Sequence, residues 1–138
     1  MGIIGYDGLA EFIIQKYPAG ARIVEVGVGH HPDVALLLKD IFDLVCTDVT
    51  DPGIAGIRFV RDDIYKPDIS LYRGAALVYS IRPPPDMQVP IAAVASAAGA
   101  DLIIRPFSSE HVDLSRHYRH GKCVNHKQAS FYLFSHDY

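Results

Sequence analysis

Short apolar runs alternate with helix-like segments along most of this chain, and this alternation restricts the possible fold more than any other feature of the sequence. The predicted strands lie at 22–28, 43–49, 56–63, 74–81 and 100–107. They are apolar on both faces, which is typical of strands in a parallel sheet that helices cover on both sides. We therefore predict an α/β fold with a doubly wound sheet.

Three helices are predicted around these strands. The first lies within residues 1–20, and the second runs from Pro32 to about Phe42. The third covers 86–100 and contains Pro90. Because proline lacks a backbone N–H and its ring clashes with the preceding turn, we expect Pro90 to lie in the first turn of that helix.

The end of the chain follows a different pattern. Residues 120–126 and 129–136 alternate between polar and apolar side chains on either side of a short polar turn, which predicts an antiparallel hairpin. The predicted fold is therefore a Rossmann-like three-layer sandwich whose mostly parallel sheet ends in an antiparallel hairpin. With 138 residues and no repeat or linker, we expect one domain, composed of an N-terminal helix (1–20), a parallel core (21–107) and a hairpin region (108–138).

Charge is distributed unevenly along the chain. Residues 1–104 contain 8 Lys and Arg against 13 Asp and Glu, whereas residues 105–138 contain 5 against 3. A general nucleic-acid-binding protein would carry a strong basic face, so we do not expect that function. The amino-terminal apolar stretch contains Asp7 and Glu11, and we therefore predict neither a leader peptide nor a membrane span there.

The cysteines and histidines show no metal-binding pattern. Cys46 and Cys123 fit neither a disulfide framework nor a zinc spacing, which is typical of a protein in a reducing compartment. Five of the seven histidines follow residue 104, but their spacings match no zinc motif. We therefore predict no metal site and a cytoplasmic location.

The segment VEVGVG at 24–29 lies where the first predicted strand passes into a helix. Gly27 and Gly29 allow a sharp turn and let the backbone approach a ligand where a Cβ would clash, so both are candidate cofactor-binding residues. Asp48 ends the second predicted strand about twenty residues further on, where an acid can accept hydrogen bonds from ribose hydroxyls. A nucleoside-containing cofactor is one interpretation, and a tight turn without a ligand, capped by Asp48, is the other.

These motifs and the terminal hairpin resemble those of the class I S-adenosylmethionine-dependent methyltransferases. In detail the chain looks most like an uncharacterised archaeal family of short methyltransferase-like domains, over nearly its whole length from Arg22 onward. The resemblance implies S-adenosylmethionine as the cofactor, with Glu25 helping to anchor its amino-acid end and Asp48 holding its ribose. It also implies that Asp63 receives the adenine amino group, with Asp62 as the neighbouring candidate.

The segment YSIRPPPDM follows the fourth predicted strand, where substrate and methyl group meet in the proteins that the chain resembles. Members that methylate amines in DNA or protein often have Asn or Asp there, followed by two prolines and an aromatic residue. This chain keeps the prolines but lacks the amine acceptor, which argues against amine methylation by that arrangement. The candidate catalytic residues are His30, Ser80 and Arg82.

Arg82 in IRPP and Arg105 in IRPF occupy matching positions at the ends of the fourth and fifth predicted strands. The carboxyl ends of such strands open into the ligand crevice of a doubly wound sheet, and two guanidinium groups can bind a carboxylate or phosphate. One hypothesis is therefore a substrate anion site formed by this pair. The other is two exposed arginines, each followed by a proline that closes its strand.

His30 and His31 lie in the same loop as the two glycines. An imidazole at this place could reach the cofactor or act as a base near neutral pH. Stiffening of the loop explains the same residues, because Pro32 favours an extended conformation of His31 and suits the first position of a helix.

Three functions stay open at this point. The first is an S-adenosylmethionine-binding domain of methyltransferase type with an unknown substrate. The second is a non-enzymatic binding or scaffold module, and the third is a nicotinamide- or nucleotide-binding domain. The hairpin, and Pro32 in place of a third glycine, favour the first. Because the predicted connections are short, closure over a substrate would need the first helix, a second copy of the chain or another protein.

Overall fold

The computed structural model describes residues 5–29, 31–106 and 112–136. The helices are α1 (Tyr6–Lys16), α2 (Asp33–Leu38) and α3 (Pro85–Ala97), and a short 3₁₀ turn covers Ile69–Leu71. The strands are β1 (Arg22–Val26), β2 (Asp43–Asp48), β3 (Phe59–Arg61), β4 (Leu77–Ile81), β5 (Asp101–Arg105), β6 (His120–His126) and β7 (Ala129–Ser135).

The seven strands form one sheet in the order β3-β2-β1-β4-β5-β7-β6. Strands β1 to β5 pair in parallel, whereas β7 is antiparallel to both β5 and β6. The predicted mostly parallel sheet with a terminal antiparallel hairpin is therefore confirmed. The strand order reverses between β1 and β4, and in open α/β sheets ligands bind at the carboxyl ends of the strands beside such a reversal.

The core lies on both faces of the sheet, as neighbouring residues of β1 show. Ile23 packs in one cluster with Leu9 of α1 and Leu38 of α2. Val24 belongs to the cluster on the opposite face, together with Ile91 of α3. All of these side chains are fully buried, and each contributes roughly 1.5–3 kcal/mol relative to an exposed side chain. Burial of both faces explains why the parallel strands are continuous apolar runs.

Several elements are shorter than the sequence predicts. α2 ends at Leu38 rather than near Phe42, because residues 39–42 form a turn that returns the chain to β2. β3 covers three residues rather than 56–63. β1 ends at Val26 because Gly27 has a φ of +75°, which lies outside the range of a strand.

The prediction that Pro90 lies in the first turn of its helix is wrong. α3 begins at Pro85, whose fixed φ and missing N–H suit the first helical position, so Pro90 is the sixth residue of the helix. Pro90 cannot donate the backbone hydrogen bond that would reach Asp86 one turn earlier. The helix continues to Ala97 because its buried face packs on the sheet.

The terminal hairpin is tied to the first helix. Residues 127–128 form its connection, with Lys127 at a φ of +54°. Lys127 also forms an ion pair with Glu11 of α1. The rings of Phe12 and Phe131 meet edge to face with their centroids 5.1 Å apart. The two ends of the described chain therefore pack on one another.

Within the described residues, no helix has both the length and the apolar character that crossing a bilayer requires.

Candidate functional site

Two cavities open at the carboxyl ends of the parallel strands. The larger has a volume of about 380 Å³, and the smaller has a volume of about 280 Å³. Residues that border the larger cavity include Val26, Asp48, Asp62, Asp63, Ile64, Tyr65 and Met87. The smaller cavity is bordered by Glu25, Val28, Gly29, His31, Ile81 and Arg82. Gly27 borders both, so the loop that follows β1 joins the two spaces.

Gly27 gives this loop its shape. Its N–H and that of Val28 donate to the carbonyl of Thr47, at 2.8 and 3.0 Å, so the loop is held against the end of β2. A Cβ added to Gly27 would meet no atom within 4 Å, which means that open space lies directly beside this backbone. A ligand can therefore approach the main chain closely at this point.

Asp48 fixes the second glycine of the loop. Its Oδ2 accepts a hydrogen bond from the N–H of Gly29 at 2.8 Å, and its Oδ1 accepts one from the N–H of Val49 at 2.7 Å. A carboxylate has about four lone-pair sites, so each oxygen keeps a further site for a ligand hydroxyl. The two roles predicted for Asp48, as a cap and as a ribose acceptor, are therefore compatible.

Glu25 borders the smaller cavity but is itself only 1% exposed. Burial raises the pKa of Glu25 to about 8, and the negative charges of Asp48 and Asp33 act in the same direction. The hydroxyl of Tyr79 donates to Oε1 of Glu25 at 2.7 Å, which partly opposes that rise. Glu25 is therefore largely protonated near neutral pH. Tyr79 was not among the predicted site residues.

The hydroxyls of Ser80 and Thr47 satisfy backbone carbonyls near the carboxyl end of β1. The last paired residues of β1 and β4 are Glu25 and Tyr79. Beyond that pair, the Ser80 hydroxyl donates to the carbonyl of Val26 at 2.7 Å. From β2, which pairs with the other side of β1, the Thr47 hydroxyl donates to the carbonyl of Glu25 at 3.1 Å. Ser80, a predicted catalytic candidate, is therefore buried and occupied by a backbone contact, and its catalytic role stays a prediction.

The two acids after β3 both border the larger cavity. Asp63, the predicted adenine contact, accepts a hydrogen bond from the N–H of Tyr65 at 2.9 Å. Asp62 accepts one from the N–H of Asp68 at 2.9 Å. Burial, followed by the charges of Asp68 and Asp63, raises the pKa of Asp62. Each acid therefore anchors its own turn while it borders the cavity.

A hydrogen bond between side chains that are distant in sequence also lies at this cavity. The hydroxyl of Tyr65 donates to Oδ2 of Asp86 at 2.6 Å, and this contact raises the pKa of Tyr65. Asp86 is in the first turn of α3, directly before Met87. The Tyr65–Asp86 bond thus connects the loop after β3 to α3 beside the cavity, and neither residue was predicted.

Arg82 and Arg105 lie at the same edge of the sheet. Arg105 pairs with Ile81 across β4 and β5, and the N–H of Arg82 donates to the carbonyl of Arg105 at 2.7 Å. Arg82 borders the smaller cavity with His31, which is exposed. His30, the other predicted loop histidine, lies outside the described residues.

Metal ligation finds no support in the parts of the chain that the structure describes, where no three His, Cys, Asp or Glu side chains are placed to hold an ion. The polar groups that the described residues present at this edge of the sheet are backbone N–H groups, carboxylates, the Arg82 guanidinium, the imidazole of His31 and the hydroxyl of Tyr65.

The strand order, the terminal hairpin and the glycine loop between two acids define the class: the fold is the Rossmann-like fold of the class I methyltransferases. A TehB-like S-adenosylmethionine-dependent methyltransferase from Corynebacterium glutamicum matches with a TM-score of 0.65, over 93% of this chain and 86% of that chain, at 19% identity. Phosphoethanolamine N-methyltransferase 2 of Haemonchus contortus, in complex with S-adenosyl-L-methionine, matches with a TM-score of 0.53 over 71% of this chain and 26% of that chain, at 13% identity.

The chain belongs to the uncharacterised protein family UPF0146, which matches residues 7–136. The UPF0146 protein of Methanothermobacter thermautotrophicus is 42% identical over 131 residues, which cover 94% of each chain. That of Archaeoglobus fulgidus is 37% identical over 127 residues, or 91% of each chain. The expected membership of an archaeal family of methyltransferase-like domains is thereby confirmed.

Proposed function

We propose that this protein binds S-adenosylmethionine at the carboxyl ends of its parallel strands and transfers the methyl group to an acceptor. The observation that carries the proposal is the Gly27 loop, which borders both cavities and leaves open space beside its backbone. A ligand with two parts can lie across this loop, with one part in each cavity. S-adenosylmethionine has that form, because its sulfur joins an adenosine to an amino acid.

The larger cavity suits the adenosine. Val26, Ile64 and Met87 give it an apolar wall against which a purine can pack. Asp48 would hold the ribose hydroxyls through the lone pairs that its two loop contacts leave available. Asp63 would accept the adenine amino group from the neighbouring turn.

The smaller cavity suits the amino-acid end. Glu25 borders it and would interact with the cationic amino group of the cofactor. Since burial keeps Glu25 largely protonated near neutral pH, a cation bound beside it would favour release of that proton. The backbone at Gly27 and Gly29 borders the same space and would limit its width.

When bound, the cofactor supplies a methyl group activated by positively charged sulfur. The chain itself would act mainly by position: the loop and Asp48 orient the ligand, and Ile64 and Met87 exclude water. A general base is needed only for an acceptor that arrives protonated. Among the predicted catalytic candidates, Arg82 is the one that borders the smaller cavity within the described residues.

Calorimetric titration with S-adenosylmethionine, S-adenosylhomocysteine, NAD and ATP tests the proposal. We expect the first two to bind. Gly27→Ala should weaken their binding by roughly tenfold or more, because the new Cβ occupies ligand space. Gly74→Ala is the matched control: the φ of Gly74 is +77° against +75° for Gly27, and a Cβ on either glycine meets nothing within 4 Å.

The outcomes separate the remaining functions. Binding of NAD alone would overturn the proposal in favour of a nicotinamide-binding domain. Binding of none of the four ligands would favour a non-enzymatic module. An equal loss of affinity in the Gly27→Ala and Gly74→Ala variants would show a general effect of backbone strain, and the Gly27 loop would then not be the ligand site.

A further inference from the structure

Tyr79 and Glu25 form a buried polar pair beside the proposed cofactor site. The two residues are direct neighbours across β4 and β1, and the Tyr79 hydroxyl donates to Oε1 of Glu25 at 2.7 Å. Both side chains are buried, so water does not compete for this bond. Burying two polar groups costs more free energy than burying two apolar ones, so packing alone does not account for the pair.

The two oxygens of the Glu25 carboxyl group have different surroundings. Oε1 accepts the Tyr79 bond, whereas no donor to Oε2 is found among the residues that the structure describes. Since Oε1 is the acceptor, Oε2 is the oxygen that carries the proton of the neutral acid. Glu25 borders the smaller cavity beside the glycine loop. The bond to Tyr79 therefore restricts rotation of the carboxyl group and leaves Oε2 for a group in that cavity.

The groups that face Glu25 from the neighbouring elements disfavour its ionised form. Asp48 of β2 and Asp33 of α2 act through their negative charge and, together with burial, raise the pKa of Glu25 to about 8. Cys46 pairs with Glu25 across β2 and β1, and burial raises the pKa of its thiol, so it stays neutral. Burial and the neighbouring Glu25 also raise the pKa of Tyr79 well above its ordinary value. Its hydroxyl therefore keeps the proton that it donates.

Tyr79 acts on Glu25 in the opposite direction to these acids. A hydrogen bond to a carboxyl oxygen is stronger when the group is charged, so the Tyr79 bond favours the carboxylate and lowers the pKa of Glu25. Two basic side chains, His31 and Arg82, also border the cavity. An imidazole changes its charge between about pH 5 and 8, so a test has to separate His31 from Glu25.

We propose that Tyr79 is a positioning residue for the cofactor, an inference that rests on the proposed function. Its hydroxyl holds Oε1 of Glu25 so that Oε2 meets the ammonium group at the amino-acid end of the ligand, and the Oε2 proton leaves to solvent as that group binds. The ammonium group keeps its own protons, so each site that fills while Glu25 is neutral releases a single proton. The carboxylate that forms lies beside the bound cation and is stabilised by Tyr79.

Calorimetric titration with S-adenosylhomocysteine, in two buffers of different ionisation enthalpy, counts the protons released. At neutral pH we expect the wild type to release close to one proton per ligand, and Glu25→Gln to release none. 5′-Methylthioadenosine has the adenosine and the sulfur but no amino acid, and it should bind to the wild type without proton release. An absence of release with S-adenosylhomocysteine, or equal release with both ligands, would overturn the proposal.

Tyr79→Phe removes the hydroxyl and keeps the ring. Glu25 then ionises less readily, so S-adenosylhomocysteine should bind roughly tenfold more weakly at neutral pH. The ratio of the two affinities should narrow as the pH rises past the pKa of Glu25, because the wild type and the variant then both carry a carboxylate before binding. A ratio that stays constant with pH would show a merely structural effect, and the positioning role would be wrong.

Two variants serve as controls. Tyr118→Phe also loses a buried hydroxyl, which donates to the carbonyl of Ala100 at 2.6 Å in the core cluster on the other face of the sheet. It should match the wild type in affinity and in proton release. His31→Asn removes the imidazole that borders the cavity and should leave proton release unchanged. If release disappears in this variant, His31 is the source of the proton and the proposal fails.

A carbon-13 NMR titration of the glutamate carboxyl groups in the ligand-free chain separates this inference from the proposed function. Glu25 should titrate near pH 8 and at higher pH in Tyr79→Phe. Titration in the ordinary acid range would overturn the inference even if S-adenosylhomocysteine binds. If that ligand does not bind, the proposed function fails, while this titration still decides whether Tyr79 controls the ionisation of Glu25.

Thermal unfolding shows whether each variant is folded. Should Tyr79→Phe fail to fold, the wild-type sequence can be produced with 3-fluorotyrosine, whose more acidic hydroxyl is a stronger donor. The pH at which Glu25 titrates should then fall, and proton release at neutral pH should fall with it. An unchanged titration would count against control of Glu25 by Tyr79.

Discussion

The two ends of β2 carry the same residue type in opposite settings. At the amino end, the exposed Asp43 forms ion pairs with Arg22 at 3.0 Å and Arg58 at 3.3 Å. At the carboxyl end, Asp48 accepts hydrogen bonds from backbone N–H groups and borders a cavity. Pairs of the first kind contribute about 0.2–1 kcal/mol each. The second arrangement shapes a loop around the open space in which we propose that the cofactor binds.

The same difference separates the two edges of the whole sheet. At the amino edge, the Tyr17 hydroxyl donates to Asp101 at 2.7 Å. At the carboxyl edge, burial raises the pKa of Glu25 and lowers that of Arg105, and Arg82 adopts a strained φ. Perturbed ionisable groups and backbone strain concentrate at functional sites. The amino edge is therefore tied together by side-chain contacts, whereas the carboxyl edge combines a buried acid and a strained backbone at the place where we propose that the cofactor binds.

The strongest test of this contrast is Glu25→Gln at the carboxyl edge. The pKa of Glu25 rises from 4.5 to about 8 on folding, so the folded chain binds more protons between those pH values and its stability falls as the pH rises. At pH 8 the unfolded chain has released the proton that folded Glu25 still partly holds, and this lowers the free energy of unfolding by roughly 4 kcal/mol relative to acid pH. Glutamine keeps an acceptor for Tyr79 and does not titrate. Urea unfolding at pH 5 and pH 8 should show that the substitution removes most of the loss.

Glu11→Gln provides the control of opposite sign. The hydrogen bond from Lys127 lowers the pKa of Glu11, so its contribution is present above its ordinary pKa of 4.5 and is lost as the pH falls further. This variant should lose a little stability near neutral pH and should retain the wild-type decline towards pH 8. If Glu25→Gln shows that same decline, the buried acid does not set the pH dependence.

A smaller effect should distinguish the two ends of β2. Asparagine keeps one acceptor oxygen, so Asp48→Asn loses one of the loop contacts at Gly29 and Val49. It also loses the negative charge at the proposed ribose site. We expect S-adenosylhomocysteine to bind roughly tenfold more weakly and unfolding to cost about 1 kcal/mol less. Asp43→Asn should leave the affinity unchanged, which calorimetry on both variants would measure. Equal affinities would mean that Asp48 serves only the loop.

Most of the fold could be predicted from the sequence, because a strand that is buried on both faces has to be apolar throughout. The run that contains Ile23 and Val24 shows this directly, since each residue reaches a different core cluster. Boundaries were harder to predict. The local rules for proline favour the first turn of a helix for Pro90, but packing of α3 on the sheet outweighs the loss of one hydrogen bond.

The candidate site could be predicted where its residues lie at the ends of predicted strands. Two of the predicted strands end in the loop residues Gly27 and Gly29 and in Asp48, and all three border a cavity. Because the ends of parallel strands meet at one edge of the sheet, their positions could be predicted. The pairing of Tyr79 with Glu25 depends on the register between β1 and β4, which periodicity does not specify. The sequence offers one signal, which is the position of Tyr79 within the apolar run of β4. A buried tyrosine hydroxyl needs a hydrogen-bond partner, so this residue could have suggested one.

The smallest expected effect concerns the Tyr65–Asp86 bond, which lies at the carboxyl edge but in solvent. Tyr65→Phe removes the hydrogen bond between the loop after β3 and α3, and since Tyr65 is 54% exposed the melting temperature should barely change. Dissociation of S-adenosylhomocysteine, followed by stopped-flow fluorescence, should become roughly threefold to tenfold faster because the bond holds Tyr65 at the border of the larger cavity. Asp86→Ala should give the same increase, and the double variant should add nothing, since all three lack one bond. If dissociation is unchanged while the ligand still binds, this bond is a surface contact of the amino-edge kind.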